Sequence, residues 1–164
     1  SDPRADALNV LDTATSGLSS DVAEEVREKR GLAYYVGSFN RVGLDPGMFV
    51  FYAGTRKDAA PEVERIFGGE IQRLVTKGVR QEEFDRARKQ ILAAHDMSLQ
   101  DNLTVAMNCV LNELYGLGYD HAFTMKDRLG KLTPDDIRSV ASSILVTNRM
   151  AVTVLVPGPG GGPK

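Results

Sequence analysis

The sequence has little of what usually reveals a protein's chemistry. Cys109 is its only cysteine, so an internal disulfide is excluded, and we expect this residue to be a small buried apolar group on a helix. No apolar run approaches the roughly 18 residues of a membrane span, and no signal peptide stands at Ser1. Because Ser1 replaces an initiator methionine, we expect that an upstream sequence has been removed.

The chain also has no large excess of positive or negative charge. The formal net charge is only -2, which gives no electrostatic footprint for nucleic acid or for an anionic membrane. The hydrophobic and charged fractions, 42% and 26%, are ordinary for a globular protein, and the length fits one domain. We therefore expect a soluble protein of the bacterial cytoplasm or periplasm, with no nucleic-acid partner and no membrane span in this chain.

Histidine is scarce, and its placement argues against a metal site. His95 and His121 lie 26 residues apart, and neither H-x-x-E-H nor H-E-x-x-H occurs. A helical zinc pair needs two histidines one turn apart, so that both imidazoles converge on the ion. We predict a packed or hydrogen-bonded His95, a surface His121, and no metal or cofactor in this chain. A P-loop, a G-x-S-x-G elbow and a G-x-G-x-x-G turn after a strand are absent as well.

The chain does contain a clear periodic pattern of helices and strands. Thr133 and Pro134 form a strong helix start, whereas Gly68 and Gly69 inside a helix cost about 1–2 kcal/mol unless close packing or a bend offsets them. The second strand is apolar on both faces, so we expect it to lie centrally in the sheet. The pattern predicts helices over 5–15, 21–30, 61–77, 81–100, 103–114, 119–129 and 134–144, and strands over 33–42, 48–55 and 150–156.

Residues 19–38, which read SSDVAEEVREKRGLAYYVGS, hold the most suggestive chemistry. They predict a capped helix whose last turn presents Arg27, a corner at Gly31, and a strand that opens with Tyr34. The dipole favours an arginine at a helix C-terminus, and a guanidinium and a phenol on one side of the molecule can donate to the same oxygen. Taken alone, the residues favour a solvated Arg27 and a Tyr34 that only packs in its strand.

Several segments, taken in order, resemble the M16 (pitrilysin/insulinase-like) metallopeptidases. The stretch REKRGLAY resembles that family's R-E-K-x-G-L-A-Y, and MFVFYAGT resembles its next strand. GVRQEEFDRARK resembles the start of its long helix, and LTPDDIRSVA with the strand over 150–156 matches its usual end. The ordered set covers roughly residues 5–157. The chain is thus identified as similar to the C-terminal, non-zinc-binding M16 domain.

The resemblance implies an α/β (α+β) fold of the LuxS/MPP-like type, a two-layer sandwich of a mainly antiparallel sheet backed by helices. It also implies that zinc and the inverted zinc motif belong to a partner domain or subunit. Arg27 and Tyr34 match the seven-residue separation of the family's arginine–tyrosine pair, which meets the carbonyl of the scissile peptide. The implied function is the substrate-engaging domain of a zinc endopeptidase that acts on peptides or small proteins, with this chain inactive alone.

Departures from the family pattern leave alternatives open. Arg80 stands where a capping threonine is usual, which is expected to weaken that helix start, and the turn before Ser19 lacks a double glycine. We expect the first strand of the fold to lie upstream of Ser1, residues 1–157 to form one domain, and 158–164 to be a disordered Gly/Pro tail. The rival functions are a catalytically inactive structural or assembly subunit and a peptide-binding module without hydrolysis.

Overall fold

The computed structural model describes residues 2–41 and 47–156. The predicted turn between the first two strands and the predicted tail lie almost wholly outside these residues. The α-helices in chain order are α1 (Ala5–Thr15), α2 (Asp21–Ala23), α3 (Ala60–Lys77), α4 (Gln81–Ser98), α5 (Asn102–Leu114), α6 (Met125–Gly130) and α7 (Pro134–Ile144). A π-helical segment (Glu24–Lys29) continues α2, 3-10 turns cover His121–Thr124 and Thr147–Arg149, and the strands are β1 (Ala33–Arg41) and β2 (Met48–Thr55).

The two strands pair antiparallel and carry helices on one face. Side chains alternate between the faces of a strand, and on the inner face Ser38 is buried and donates to Asp12 of α1 over 2.7 Å. On the same face, the rings of Phe51 in β2 and Phe67 in α3 lie 5.7 Å apart. The predicted two-layer arrangement of an antiparallel sheet backed by helices is therefore confirmed.

The third predicted strand is wrong in this structure. Residues 150–156 follow the last 3-10 turn without joining β1 or β2, and Val152, Val154 and Leu155 are exposed. Alternating apolar side chains favour a strand only where a neighbouring ladder accepts its backbone hydrogen bonds, and residues 150–156 pair with neither strand. For the same reason β2 has one neighbour in the described residues and does not lie centrally as predicted.

The main core lies between α1, the C-terminal half of α3, α4 and α7. Its largest members are almost completely buried, and burial of side chains this size is the dominant favourable term in folding. They are Val10, Leu11, Leu74, Phe84, Leu129 and Ile137. A second, smaller cluster of Val22, Val26, Ala33 and Val63 lies under the helix that carries Arg27.

The predicted apolar stripe of α5 faces outward. Leu103, Met107, Val110 and Leu114 are exposed, and none of the helix's residues is buried. Cys109 on this helix is only half-buried, so the prediction that it is a buried apolar group is wrong. The sequence period correctly predicted the helix, but it does not determine which elements cover the stripe. Within the described ranges, no helix is both long enough and apolar enough to cross a bilayer.

Replacing Gly68 or Gly69 with alanine is expected to raise the free energy of unfolding by about 0.5–1 kcal/mol each. Both lie inside α3, and a Cβ at either position would have no atom within 4 Å, so close packing does not explain them. Thermal unfolding followed by circular dichroism checks this. Gly78→Ala is the matched control and should destabilise, because Gly78 has φ +73° and its Cβ would lie 2.9 Å from that of Arg138.

Candidate functional site

The helix that carries Arg27 is firmly held at its start and along its inner face. Ser20 is the N-cap, and its hydroxyl accepts a hydrogen bond from the Ala23 N–H over 3.2 Å. Val22 and Val26 point inward and are almost completely buried. The cap predicted around residues 19–21 is therefore confirmed, and Arg27 lies on a helix fixed by packing rather than on a mobile loop.

This helix changes from α to π geometry before it reaches Arg27. The wider turn ends at Gly31, with φ +58°, where the Leu32 N–H donates to the Val26 carbonyl over 2.8 Å and the Gly31 N–H donates to the Arg27 carbonyl over 3.1 Å. A π turn accommodates one extra residue and re-aims the side chains that follow, and such turns are frequent at functional sites. The predicted Gly31 corner is confirmed, whereas the π geometry was not predicted.

Of the three cations at the end of this helix, Arg27 lies farthest from its nearest carboxylate. Its side chain is 42% exposed, and its Nε lies 3.6 Å from a carboxylate oxygen of the adjacent Glu28. By contrast, Lys29 lies 3.0 Å from Glu24 and Arg30 lies 2.6 Å from Glu25, and these carboxylates raise the pKa of both cations. Exposed ion pairs hold a side chain only weakly, so Arg27 is the guanidinium on this helix that is most available to a ligand.

Tyr34 lies at a β-bulge. Ala33 pairs with Thr55 and Tyr35 pairs with Gly54, so Tyr34 is the extra residue that has no partner across the ladder. A bulge re-aims the side chain that it carries and is common beside active sites. The Tyr34 side chain does not pack in its strand, because the residue is 87% exposed and its only aromatic neighbour among the described residues is the Tyr35 ring, 6.5 Å away edge-on.

A shallow groove of about 580 Å³ lies beside Tyr34, and Arg27 is not part of it. The groove is lined by Gly31, Leu32, Ala33, Tyr34, Tyr35, Gly54, Thr55 and Arg56. In the part of the chain that the structure describes, no hydrogen bond joins the guanidinium of Arg27 to the phenol of Tyr34. Arg27 and Tyr34 lie on either side of the short connection through Gly31. Tyr34 lines the groove and Arg27 does not.

An ionic network under the Arg27 helix was not predicted. Arg80 donates to both carboxylate oxygens of Asp21, over 2.8 and 2.5 Å, and to Glu83 over 2.8 Å. Arg73 donates to Glu70 and to Glu83, two carboxylates that are almost completely buried. The Arg80 guanidinium is the main reason that the pKa of Asp21 lies below its ordinary value. The only sign of this network in the sequence was the arginine at position 80, where the family pattern has a capping threonine.

The start of α4 also corrects an expectation. A weakened start was expected because Arg80 replaces a capping threonine, but the carboxylate of Glu83 accepts the backbone N–H of Arg80 over 2.6 Å. Glu83 therefore supplies one half of a capping box, and this bond needs only a backbone N–H at position 80. The side chain of Arg80 is left free to reach Asp21.

Comparison with known proteins decides the family. A family model of the peptidase M16 inactive domain matches residues 1–91. The chain belongs to the M16 peptidase inactive-domain family. An uncharacterized zinc protease of Streptomyces coelicolor is 34% identical to this M16 domain over 157 residues, which are 95% of the chain and 34% of that protein. The M16 domain thus spans about a third of the length of the curated relatives it matches.

Solved structures support the same fold. The peptidase M16 inactive domain from Pseudomonas fluorescens superposes with a TM-score of 0.81 at 21% identity, over 90% of this chain and 36% of that one. An inactive peptidase domain from Bordetella parapertussis superposes with a TM-score of 0.82 at 22% identity, over 95% of this chain and 85% of that one. These superpositions establish the fold of the M16 domain. Because the identities are low, its chemistry has to be argued from its own residues.

The histidines of the M16 domain do not fit a metal centre. Across residues 2–41 and 47–156, no group of three or more His, Cys, Asp or Glu side chains is placed to hold an ion. His95 is half-buried in α4. His121 is half-buried as well, not on the surface as predicted, and its burial lowers the pKa of its imidazole. The donor set required for zinc is therefore not found in the described part of this chain.

Proposed function

We propose that this chain is the substrate-engaging domain of an M16-type zinc endopeptidase. Arg27 and Tyr34 donate to the carbonyl oxygen of the scissile peptide, and a partner M16 domain or subunit holds the zinc. The substrates are peptides or small proteins in extended form, and the compartment is the bacterial cytoplasm or periplasm. Alone, residues 1–157 form one inactive domain.

The observation that carries the proposal is that both donors lie at local irregularities of the backbone. Arg27 lies in the six-residue π-helical segment that follows α2, and Tyr34 lies on a β-bulge near the start of β1. An 87% exposed tyrosine contributes little to the core. Such irregularities disrupt the local hydrogen-bond ladder, and they are frequent at functional sites, where they re-aim a side chain.

The chemistry suits an oxygen that gains negative charge. A guanidinium is always protonated and a phenol is neutral at pH 7, so both are hydrogen-bond donors at that pH. When a peptide carbonyl is attacked, its oxygen becomes an oxyanion, and donors already aimed at it stabilise that state more than the ground state. The metal in the partner domain, when bound, supplies Lewis-acid chemistry to the reaction.

The test is peptide cleavage by the full-length gene product, or by this chain together with the subunit that carries the H-x-x-E-H motif. Unfolded protein fragments serve as substrate. We expect turnover that a zinc chelator abolishes and that added zinc restores, and no turnover by this chain alone. Binding of the fragments without turnover would favour a peptide-binding module, and neither binding nor turnover would favour a structural subunit.

A further inference from the structure

The connection between Arg80 and Asp21 links two distant parts of the chain. Asp21 is the first residue of the helix that presents Arg27 six positions later, and Arg80 follows it by 59 residues. Arg80 donates two parallel hydrogen bonds to the Asp21 carboxylate, the arrangement with the best-defined geometry that an arginine makes. The start of the Arg27 helix is therefore tied to the start of α4.

The other end of the same helix is tied to α3. Arg30 donates to Glu25 within its own helix and to Glu62 of α3, over 2.7 Å in each case. Between these two ties, Val26 is completely buried against the smaller core cluster. With both ends and the inner face held, the orientation of the helix, and hence of Arg27, is set by packing against β1 and α3 and by the contact of Asp21 with Arg80 at the start of α4.

The side chain of Arg80 is not needed to cap α4. Glu83 accepts from the backbone N–H at position 80, and any residue except proline offers that donor. A threonine side chain at this position would be too short to make the paired contact with Asp21. The Arg80 side chain therefore adds the paired hydrogen bond to Asp21 on the Arg27 helix. The same guanidinium also donates to the side chain of Glu83.

We propose that Arg80 is a positioning residue for Arg27 and acts through Asp21. The inference rests on the proposed function of Arg27 as a donor to the substrate carbonyl. Removing the arginine takes away one of the contacts that hold the first turn and leaves the Ser20 cap and the buried Val22, so the guanidinium of Arg27 samples a somewhat wider range of positions. Loss of alignment of about 1 Å at a reacting centre costs on the order of 100-fold in rate, and a partial loss of alignment is expected here because the helix keeps its other contacts.

The stability of the fold depends little on this pair. The side chains of Arg80 and Asp21 are 53% and 30% exposed, and exposed ion pairs contribute about 0–1 kcal/mol. Arg80→Thr also removes the 2.8 Å contact to Glu83, whose side chain is 3% exposed, but Glu83 keeps its bonds to Arg73 and to the backbone N–H at position 80. The variant is therefore expected to fold, with a somewhat lower melting temperature than the parent protein. Arg138→Thr is the matched control, because Arg138 is 49% exposed, pairs with Asp135 three residues earlier and lies on α7.

The test is a double-mutant cycle on kcat/KM in the full-length, zinc-loaded protein, using Arg80→Thr, Arg27→Ala and both together. We expect Arg80→Thr to lower kcat/KM about 10-fold, Arg138→Thr to leave it unchanged, and Arg80→Thr to cause no further loss once Arg27 is alanine. Asp21→Asn should lower kcat/KM at least as much, since it weakens the same contact and also the 3.7 Å pair of Asp21 with Arg73.

Two results would overturn the role of Arg80. One is an unchanged kcat/KM in Arg80→Thr. The other is an equal loss in the presence and absence of Arg27, which would indicate a general structural effect. Neither result contradicts the proposed function, provided that Arg27→Ala lowers kcat/KM. An Arg27→Ala protein with full activity would instead overturn the proposed function and the role of Arg80 together.

Discussion

Tyr34→Phe is expected to lower kcat/KM of the zinc-containing protein by about 100-fold or more while leaving its stability unchanged. The substitution removes one hydroxyl, and removal of one oxyanion donor in other hydrolases costs about 10²–10³ in kcat. Tyr34 is 87% exposed, and its hydroxyl makes no hydrogen bond within the described residues, so the loss cannot come from the fold. Steady-state cleavage of an unfolded peptide, with thermal unfolding in parallel, measures both quantities.

Tyr52→Phe is the matched control for this experiment. Tyr52 lies in β2 on the uncovered face of the sheet, is 42% exposed, and also loses only a hydroxyl. Arg27→Ala should be impaired to a degree similar to Tyr34→Phe. The double variant should lose less than the product of the two single losses, because both donors serve one oxygen. Full activity in both single variants would exclude a catalytic role for the pair.

Most of the secondary structure could be predicted because its signals are local. The α1 and β2 bounds match the pattern at both ends, and the helix start predicted at Thr133 and Pro134 forms, with the Thr133 side chain as the cap. A capping side chain and an apolar period act within a few residues, so they are visible in the sequence. The same holds for Gly31, whose positive φ ends the helix that carries Arg27.

The features that shape the candidate site could not be predicted in this way. A π turn and a bulge each differ from the regular element by one residue, and the pattern over 21–41 reads the same with or without them. The network of Arg80, Glu83 and Arg73 depends on how α2, α3 and α4 pack together, and the strand over 150–156 failed because pairing requires a neighbour. Such tertiary contacts override local propensity.

Arg73→Leu is expected to have the largest effect on stability, a loss of about 3–5 kcal/mol in the free energy of unfolding. Arg73 makes two hydrogen bonds of 2.8 Å to Glu70 and two of 3.1–3.2 Å to Glu83, whose side chains are only 7% and 3% exposed. The Glu70 carboxylate is the main reason that the pKa of Arg73 is raised. Leucine retains the apolar stem but leaves buried negative charge without this partner. Urea unfolding at pH 7 measures the loss.

Arg65→Leu separates this buried charge effect from the loss of any arginine on α3. Arg65 is 67% exposed, and its Glu62 neighbour lies 3.8 Å away, so this change should stay within about 0.5 kcal/mol of the parent. Adding Glu70→Leu to Arg73→Leu should restore part of the lost stability, because it removes the stranded carboxylate of Glu70 and replaces it with an apolar group. Equal losses in Arg73→Leu and Arg65→Leu would show that the network contributes no more than a surface pair. A large loss that Glu70→Leu relieves would show instead that the buried carboxylate of Glu70 on α3 requires the compensating charge of Arg73.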